Sequence, residues 1–441
     1  MQQRQDYVLR MVEERRVRLV RLWFTDVVGQ LKSVAISPVE LESAFEEGVQ
    51  FDGSAIDGFS RVQESDVLAR PDPNSFQLMG ADDDEITARI FCDIANLDGT
   101  PFEGDPRQVL RRNLAAAADA GFEFMCAPEV EFFYLAAPEP GAAPSPLDQA
   151  SYFDLTVVDE NSHIRRRTIQ RLEATGIPVE YSFHEDAPSQ HEIDLRYSDA
   201  LAMADNVMAL RMIVREVAMA SGVHATFMPK PMEGVQGSGM HTHLSLWSAD
   251  ANAFHDPDVP DGLSEVARSF IAGVLAHAPE LTAVTNQLVN SYKRLVAGFE
   301  APVNISWAHN DRSALVRVPV PKRGKEREGT RVEYRALDPA CNPYLAFSVL
   351  LAAGLKGIAE GYELGPESTA VLSQEAERPG TPGLLPANLA EALDQMERSE
   401  LVRSALGEHI FEWFLRNKRA EWSAYRTHVS TFELDRYLRA W

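Results

Sequence analysis

Alternating apolar and polar positions mark the beginning of the chain. Residues 18–24 and 30–36 follow a two-residue period on either side of Gly29, a pattern that predicts two strands joined as a hairpin. Residues 85–94 repeat this period and predict a further strand. We therefore expect the first quarter of the chain to form a small unit built around a sheet.

Two other segments complete this unit. The sequence Ser-Pro-Val-Glu at residues 37–40 predicts the start of a helix, because Ser37 can cap it, proline suits its first position and Glu40 can complete a capping box. Residues 51–73 are rich in Asp, Gly and Ser and predict a loop. We place the end of this first domain, residues 1–104, just before the next helix start.

Longer helical periods alternate with apolar strands in the second domain, residues 105–441. Helices are predicted over residues 105–120, 165–175, 199–221, 262–277, 342–361, 389–406 and 408–425. Strands are predicted over residues 123–135, 224–228, 240–247, 314–318 and 330–334, and surface loops over residues 136–146 and 366–386. The mixture of helices and strands indicates an α+β protein without a repeat of fixed period.

The chain has 441 residues, a formal net charge of −24 and 45% apolar residues. The negative charge argues against nucleic acid and anionic membrane as partners, since both attract basic surfaces. Residues 1–21 lack the apolar stretch of a signal peptide, and the longest apolar run, residues 345–355, is too short for a bilayer. We expect a cytoplasmic protein, with Cys92, Cys126 and Cys341 as buried thiols rather than a disulfide set.

Two carboxylates share one strand face in the sequence Pro-Glu-Val-Glu-Phe-Phe at residues 128–133. Residues two apart on a strand point to the same side, so we expect Glu129 and Glu131 to lie together. Like charges side by side among aromatic residues are unfavourable unless a cation holds them. An exposed edge strand with two solvated acids is the alternative, and this motif alone does not separate the two interpretations.

Three further segments carry the same kind of residue. Glu185 and Glu192 flank a turn that can bring both to one site, although surface loops often carry such acids. His241 and His243 share a strand face behind a glycine-rich segment, or are simply exposed strand histidines. Glu333 alternates with apolar neighbours, for which a cross-strand salt bridge is the alternative.

Together these segments supply five glutamates and one or two histidines. Carboxylate-rich sites suit hard divalent cations such as Mg²⁺ and Mn²⁺. Five glutamates exceed the needs of one ordinary site, so we predict two or more metals. Two metals beside a nucleotide would fit phosphoryl transfer.

Four arginines, Arg294, Arg312, Arg317 and Arg335, gather in one segment of this acidic chain. Arginine suits bidentate binding of carboxylate and phosphate, which predicts a substrate that carries both groups. For any single arginine a structural ion pair is the alternative. The sequence contains no Walker-type glycine-rich lysine loop and no Ser-His-Asp or Cys-His nucleophile signature, so ATP, if bound, is held in another way.

In this order, the motifs resemble those of type I glutamine synthetase. The resemblance is carried by residues 51–54, 128–133, 184–192, 237–243, 290–302, 312–314, 333–335 and 342–345, which together span essentially the whole chain. It implies an N-terminal β-grasp domain plus a larger catalytic α/β domain of the glutamine synthetase/guanido kinase type. It also implies a dodecamer of two stacked hexameric rings, whose active sites are shared between neighbouring subunits.

The resemblance further implies a role for each matched position. The metal ligands would be Glu131, Glu185 and Glu192 in one site and Glu129, His241 and Glu333 in a second site nearer the ATP phosphates. The glutamate would be held by Arg294 and Arg335 beside Gly237 and Gln236, the nucleotide by His243 and Ser245, and the phosphates by Arg312 and Arg317. Glu300 would close the site as a flap residue, Tyr152 would line the amine pocket, and Asp52 of the adjacent subunit would help deprotonate the amine.

The implied reaction has two steps and uses ATP and L-glutamate. The γ-carboxylate of glutamate attacks the γ-phosphate of ATP to give γ-glutamyl phosphate, and a deprotonated amine then displaces phosphate. An acidic pocket of Asp52, Glu185 and Glu300 suits an amine that is first bound as a cation and then gives up a proton. With ammonium as the amine, the reaction is that of a glutamate–ammonia ligase.

The chain departs from the family pattern at Ala55, Gln236, Asp311 and Phe183, where the family has Ser, Asn, Asn and His. Loss of the serine hydroxyl favours an alternative, a γ-glutamylamine ligase that takes a polyamine or a small alkylamine, as closely similar actinobacterial paralogues do. A non-catalytic homologue with a structural or regulatory role is the third alternative, and it predicts broken ligand sets, whereas the sets here are intact. Arg61 falls where the α subgroup has an arginine linked to feedback by glutamine.

Overall fold

The computed structural model describes residues 2–59, 66–82, 85–137, 142–155, 157–159, 161–249, 251–298, 300–368 and 383–441. Its helices are α1 (Gln2–Glu14), α2 (Leu41–Glu46), α3 (Pro106–Asp119), α4 (Ser162–Ala174), α5 (Ala200–Ala220), α6 (Glu265–Thr285), α7 (Ser291–Arg294), α8 (Glu326–Gly329), α9 (Pro343–Glu360), α10 (Leu389–Glu397), α11 (Glu400–Leu406), α12 (Glu408–Thr427) and α13 (Thr431–Tyr437). Its strands are β1 (Leu19–Thr25), β2 (Leu31–Ile36), β3 (Val49–Asp52), β4 (Asp66–Pro71), β5 (Gln77–Asp82), β6 (Glu85–Ala95), β7 (Glu123–Leu135), β8 (Val179–His184), β9 (Gln190–Leu195), β10 (Ser198–Asp199), β11 (His224–Thr226), β12 (Met240–Ser248), β13 (Ala251–Asn252), β14 (Asn304–Ala308), β15 (Ala314–Arg317) and β16 (Val332–Tyr334).

The first sheet has the strand order β2-β1-β6-β4-β3, with β5 paired to β6. The predicted hairpin is confirmed, since β1 and β2 pair antiparallel around Gly29 at a φ of +84°. The Asn342 side-chain amide donates to the carbonyls of Asp26 and Val27, at 3.1 and 3.2 Å. A methyl group on Gly29 would lie 3.1 Å from the Asn342 Cα, so this turn is held tightly against the start of α9.

Two predictions for this part of the chain are wrong. Ser37 precedes a 3₁₀ turn with proline at its start, but its hydroxyl makes no cap bond, so the predicted capping box is not formed. The predicted loop over residues 51–73 contains the end of β3 and all of β4, because pairing of β4 with the distant strand β6 overrides its polar composition. Arg61 lies outside the described residues.

The second sheet has the order β14-β15-β16-β12-β7-β9-β8, with short strands β10 and β11 on β7 and β13 on β12. Strand β7 covers the range predicted for it, residues 123–135, and pairs antiparallel with β12 and β9. All the pairings along this path are antiparallel except β14 with β15. Strand β7 therefore lies between β12 and β9, and side chains of all three strands share one face of the sheet. These side chains include those of the candidate site.

Helices α3, α5, α6 and α9 pack together against this sheet. Helix α9 is long and apolar enough to cross a membrane by length and composition, yet 67% of that stretch is buried inside the protein. Its Gly357 faces Gly273 of α6, where a methyl group would clash with the Ser269 carbonyl oxygen. The two helices can approach this closely because both carry glycine at the crossing.

The single helix predicted over residues 389–406 is wrong in detail. The chain breaks between α10 and α11 at Ser399, whose hydroxyl caps α11 by accepting from the Val402 amide at 3.1 Å. Serine in that role competes with a continuous helix. The predicted loop over residues 366–386 falls mostly outside the described residues. All three cysteines are buried and free, as predicted.

A buried arginine joins the first sheet region to the helical layer. Arg107, on the first turn of α3, lies within 2.9 Å of Asp72 and Asp205 and at 2.5 Å from Asp93. Asp72 and Asp93 come from the first sheet region, and Asp205 comes from α5. Three carboxylates around one guanidinium make this a fully compensated charge in the interior.

Candidate active site

Strand register places the predicted ligands side by side. Along β7, Glu131 lies opposite Glu192 of β9, and Glu129 lies opposite His241 of β12. On the next strand, Glu333 of β16 pairs with His243 of β12. Residues of one face in four neighbouring strands are thus brought into one cluster.

Four members of this cluster, Glu129, Glu131, Glu192 and His241, line a cavity of about 680 Å³. The predicted site residues that line the cavity are Glu129, Glu131, Tyr152, Glu185, Glu192, His241, Glu300, Arg312, Arg317 and Arg335. The predicted turn between Glu185 and Glu192 is confirmed, since the Glu185 amide donates to the Gln190 carbonyl at 2.8 Å. The cavity combines acidic, basic and aromatic walls, which suits a ligand that carries charges of both signs.

One half of the cluster is already ionised. Glu129 lies 3.5 Å from the His241 Nδ1 and 2.7 Å from the His243 Nε2. Burial opposes its charge, but the hydrogen bonds from these two histidines outweigh burial and hold the pKa of Glu129 well below its usual range. Burial likewise opposes the charge of Glu333, and the neighbouring His243 and Arg335 nevertheless lower its pKa.

The pKa values of the other half of the cluster, Glu131, Glu185 and Glu192, are raised. Burial and the nearby Glu131 carboxylate raise the pKa of Glu185 to about 7. Burial and the neighbouring Asp194 raise the pKa of Glu192 well above its usual range, and burial also raises the pKa of Glu131. Carboxylates this close cannot all ionise without a cation between them.

The half that contains Glu129 and Glu333 fits a divalent cation directly. Glu129, His241 and Glu333 each offer one ligand atom, and these atoms all lie within 4.8 Å of one another. The second half supplies three carboxylates whose mutual repulsion a cation would relieve. Oxygen ligands with one imidazole suit Mg²⁺ or Mn²⁺ rather than a thiol-seeking metal. The part of the chain that the structure describes therefore supports metal binding at this position.

The four predicted arginines have different surroundings. Arg317 and Arg335 both donate to the Glu333 carboxylate. Arg294 is buried and donates to the carbonyls of Ala336 and Leu337 at 2.9 and 3.2 Å, so its charge is held by backbone oxygens. Arg312 lines the cavity. Arg317, Arg335 and Arg312 can therefore face a ligand in the cavity directly.

The glycine-rich segment before β12 runs beneath Arg294. A methyl group on Gly237 would clash with the Pro229 carbonyl oxygen and lie 3.1 Å from the Arg294 side chain. The Gly237 carbonyl accepts from Gln190 Nε2 at 3.0 Å, and Gln236 donates to the Asp186 carboxylate at 2.5 Å. Absence of side chains here lets the arginine lie flat against the backbone.

A neighbouring cavity of about 360 Å³ contains the predicted nucleotide-side residues. His243 and Ser245 line it together with Arg331, whose Nε donates to His243 Nδ1 at 3.2 Å. Glu129 lines both cavities. The two spaces therefore meet at the Glu129 carboxylate.

Three aromatic rings form one wall of the larger cavity. Tyr152 and Phe153 stack with their ring centroids 4.0 Å apart, and Phe183 meets them edge-on at 5.7 and 4.8 Å. The same cavity is lined by Glu185. Aromatic faces beside a carboxylate suit an organic cation. Phe153 was not predicted, although its position next to Tyr152 was a usable signal.

Two further predicted residues, Asp52 and Glu300, differ in their position relative to the cavity. Asp52 is on β3 of the first sheet, where its carboxylate accepts from the Ser54 amide at 2.8 Å, and it does not line the cavity. Glu300 does line the cavity and has a φ of +55°, a backbone conformation that is strained for a residue with a side chain. The strain indicates that its surroundings hold Glu300 in this conformation.

Several site residues were missed by the sequence reasoning. Gln190 and Asp194 share the face of Glu192 on β9, and Gln190 donates to Glu131 at 3.0 Å. The two-residue period that led to Glu192 would have found both. On the opposite face, His184 lies 3.2 Å from Asp148, a contact between residues far apart in sequence that no local pattern reveals.

This opposite face holds a second buried group, Asp148, Asp159, His184 and His191, with ligand atoms within 4.8 Å of one another. Arg165 lies between two of its members, with its Nη1 2.8 Å from the Asp159 carboxylate and 2.6 Å from the His191 Nδ1. The guanidinium supplies the positive charge that this group needs. We interpret it as a charged network that supports the hairpin of β8 and β9.

Comparison with known proteins agrees with this geometry. The β-grasp domain of glutamine synthetase matches residues 16–97, and the catalytic domain of glutamine synthetase matches residues 103–437. The chain belongs to the glutamine synthetase family. The α+β fold with an N-terminal β-grasp domain and a larger catalytic domain is thereby confirmed.

Relatives align over the full length of the chain. Glutamine synthetase of Mycolicibacterium smegmatis is 57% identical over 99% of this chain and 100% of its own length, and glutamine synthetase of Thermotoga maritima is 46% identical over 98% of each. A solved GmaS/ADP complex has a TM-score of 0.88 and 31% identity and covers 98% of this chain and 99% of its own. A glutamine synthetase structure from Plasmodium falciparum, at 24% identity and a TM-score of 0.89, covers 98% of each chain and shares the fold.

Proposed function

We propose that this member of the glutamine synthetase family is a ligase that joins the γ-carboxyl group of L-glutamate to ammonium and hydrolyses ATP. The observation that carries the proposal is the single cavity in which Glu129, Glu185 and His241 meet Arg312 and Arg335. Phosphoryl transfer needs cations and arginines around the transferring group, and amide formation needs acidic groups around the amine. The cavity contains the arginines and the acidic groups.

Metal ions fit two positions in the proposed site. Glu131, Glu185 and Glu192 would hold one Mg²⁺ or Mn²⁺, and Glu129, His241 and Glu333 would hold another nearer the nucleotide. Such ions would neutralise charge on the phosphate oxygens. The ionised state of Glu129 and Glu333 makes the second set ready for a cation at neutral pH.

The chain's own residues account for the remaining roles. Arg335 and Arg294 face or support the glutamate, while Arg312 and Arg317 bind the phosphoryl group that passes from ATP to the γ-carboxylate. His243 and Ser245 lie on the nucleotide side, and Gln236, Gly237 and Tyr152 surround the substrate. The γ-glutamyl phosphate then reacts with an amine that has lost its proton to the acidic wall of Glu185 and Glu300.

Assembly completes this proposal. Asp52 lies on the first sheet, away from the cavity of its own chain, which supports a role in the active site of a neighbouring subunit. We propose the dodecamer of two hexameric rings, with the domain boundary between residues 104 and 105 and a location in the cytoplasm. Mass measurement in solution tests the assembly.

Phosphate release from ATP tests the activity. With Mg²⁺ and glutamate present, we expect release that depends on ammonium, and we expect it to fall by at least about a hundredfold in Arg312→Gln. Glutamine formed in equal amount to phosphate would establish the ligase. ATP hydrolysis without any amine requirement, or no hydrolysis at all, would contradict the proposal and favour the non-catalytic alternative.

The aromatic wall favours a second candidate, a γ-glutamylamine ligase that takes an alkylamine or polyamine. Phe183 stands where the resemblance implies a histidine, and it closes a three-ring wall with Tyr152 and Phe153 beside Glu185. Apolar rings bind the alkyl part of an organic ammonium and stabilise its charge, whereas ammonium itself offers no alkyl group. Ala55, near Asp52, would leave room in a site shared with a neighbouring subunit, because it lacks the hydroxyl that the resemblance implies.

An amine panel separates the two candidates. Ammonium, methylamine, ethanolamine, putrescine and spermidine are compared at equal concentrations in wild type and in Phe183→His. If the protein is a γ-glutamylamine ligase, kcat/KM is higher for an alkylamine than for ammonium in wild type. In Phe183→His the ratio of the two kcat/KM values then shifts in favour of ammonium. Equal ratios in both proteins would show that the aromatic wall does not select the amine.

A further inference from the structure

A third cavity, of about 360 Å³, lies between the first sheet and the helical layer. Arg21 and Trp23 of β1 line one side, and Arg211 and Arg215 of α5 line the other. None of its lining residues also lines the active-site cavity. It is therefore a separate space with three guanidinium groups around it.

Arg211 is the unusual member of this set. The residue is only 6% exposed, its Nη2 donates to the Cys341 carbonyl at 2.8 Å, and its Nε has no hydrogen-bond partner. Its Nη1 lies 3.7 Å from the Met208 sulfur, a weak acceptor. A buried guanidinium with one carbonyl and one sulfur as partners is under-compensated.

Another buried arginine, Arg107, has the charge compensation that Arg211 lacks. Arg107, which is 3% exposed, is surrounded by the carboxylates of Asp72, Asp93 and Asp205. Within the described part of the chain, no carboxylate forms an ion pair with Arg211. Burial lowers the pKa of Arg211, and the nearby Arg215 lowers it further, whereas the carboxylates around Arg107 raise the pKa of that residue.

The two exposed arginines of the cavity also lack a carboxylate partner. Arg21 and Arg215 form no ion pair with a carboxylate among the described residues. The acidic residue at the cavity, Glu216, lies 3.3 Å from Arg171, which offsets its charge. The cavity thus carries an excess of positive charge in a chain whose formal net charge is −24.

We propose that this cavity binds a small anion that carries a carboxylate or phosphate group, with the charged group on Arg211. Arg215 and Arg21 complete a set of fork-shaped donors that matches the oxygens of either group. Trp23 and Met212 provide apolar walls for a short carbon chain. The anion would replace the carboxylate that Arg211 lacks within its own chain.

The position of the cavity connects it to the active site through the backbone. Pro339 and Ala340 line the cavity, and the preceding Leu337 carbonyl accepts from Arg294 and from the Met240 amide, at 3.2 and 2.9 Å. Arg211 itself is bonded to the carbonyl of Cys341 in the same segment. A bound anion would therefore contact the segment that holds Arg294. The cavity thereby has a regulatory role on glutamate binding, which rests on the function proposed above.

Calorimetric titration of the assembled protein with succinate, glutarate and inorganic phosphate tests the proposal. Saturating glutamate and a non-hydrolysable ATP analogue with Mg²⁺ are present throughout, so that both the glutamate-side and the phosphate-side arginines of the active site are taken, and the readout is independent of turnover. We expect at least one probe to bind, with an affinity at least tenfold weaker in Arg211→Met and in Arg215→Gln. Arg335→Gln, which alters the active site, serves as the matched control and retains binding of the probe.

The choice of probe shows which anion fits, since the dicarboxylates and phosphate are tested separately. The regulatory role predicts that the bound probe shifts the KM for glutamate in wild type and not in Arg215→Gln, a surface variant expected to fold normally. Failure of every probe to bind wild type would overturn the proposal. Unchanged binding of the probe in both Arg211→Met and Arg215→Gln would also overturn it. Dissociation of the oligomer in Arg211→Met, with no probe bound to wild type, would overturn it as well, because Arg211 would then pair with a carboxylate of a neighbouring subunit.

Discussion

His243 Nε2 lies 2.7 Å from the Glu129 carboxylate, and His241 Nδ1 approaches the other oxygen of the same group at 3.5 Å. Strands β7 and β12 pair antiparallel, so that one carboxylate lies between two imidazoles that are two positions apart. This arrangement holds Glu129 ionised where the two cavities meet.

Replacement of Glu129 by glutamine keeps the size of the side chain and removes its charge. We expect Glu129→Gln to lose one of its Mn²⁺ ions per chain and to lower kcat by about a hundredfold or more, because charge near the phosphoryl group is no longer balanced. Electron paramagnetic resonance counts the bound Mn²⁺, and phosphate release measures kcat.

Glu123→Gln is the matched control for this variant, since Glu123 begins the same strand and is exposed. It is expected to retain the metal count and activity of wild type. Equal loss in both variants would indicate a general effect of charge on β7 rather than a ligand role of Glu129.

The raised pKa values in the half of the cluster formed by Glu131, Glu185 and Glu192 predict that its metal affinity depends on pH. The pKa of Glu185 is raised to about 7, so this carboxylate carries a proton below that pH, and a cation must displace it. We expect Mn²⁺ affinity at this half to rise with pH through 7, by about tenfold per pH unit for each proton released. Titrations at pH 6, 7 and 8 measure the slope, which Glu185→Gln is expected to reduce. An unchanged slope in that variant would assign the proton to another group.

The buried pair of Asp148 and His184 predicts a window of stability. Burial opposes the charge of both residues. Hydrogen bonds from His184, Asn161 and the Ser189 amide nevertheless lower the pKa of Asp148. Hydrogen bonds from His184 to Asp148 and to the Glu185 carbonyl raise the pKa of His184. The contribution of Asp148 is present above its unfolded pKa of 3.8 and is lost as pH falls. The contribution of His184 is present below 6.5 and is lost as pH rises through its raised pKa.

Asp148→Asn is therefore expected to cost about 3 kcal/mol of unfolding free energy near pH 5–6, and less at pH 8 and above. Denaturant unfolding at several pH values measures the difference. The exposed Asp119→Asn, at the end of α3, is the control and is expected to change little at any pH. A loss that did not vary with pH would mean that shape, rather than charge, is what Asp148 contributes.

The close crossing of α6 and α9 predicts that a single added methyl group disturbs their packing. In Gly357→Ala the added methyl group meets the Ser269 carbonyl oxygen and the Gly273 backbone, which cannot move aside without separating the helices. We expect a loss of about 1–3 kcal/mol, measured as a lower Tm. Gly365→Ala, where no atom lies within 4 Å of the added carbon, is expected to leave the Tm unchanged.

The sequence predicted β7, the β1–β2 hairpin and the face shared by Glu129 and Glu131, because a two-residue period within one strand is a local property. It did not predict β4, whose strand character depends on pairing with β6. Likewise, the family resemblance and not the spacing supplied the link between Glu129 and Glu333, since their strands are joined only through β12.

The contacts that escaped prediction are those between distant segments. Asp148 meets His184 across a loop, and Arg107 meets Asp205 of α5, and neither pair has a spacing that a helix or strand would impose. Asp52 illustrates a different limit, because its predicted place is in the site of another subunit. Strand periodicity predicts which side chains share a face, and only the fold determines which faces meet.

The hairpin of β8 and β9 has chemistry on both of its faces, with Glu192 toward the cavity and His191 toward the network of Asp148 and Arg165. An insertion of one residue in the turn at residues 186–189 would exchange the two faces of β9, placing imidazole among the carboxylates and a carboxylate against the buried guanidinium. The length of the turn is therefore fixed by the two faces of β9. The number of residues between Glu185 and Glu192 is as much a determinant of this site as the two acids themselves.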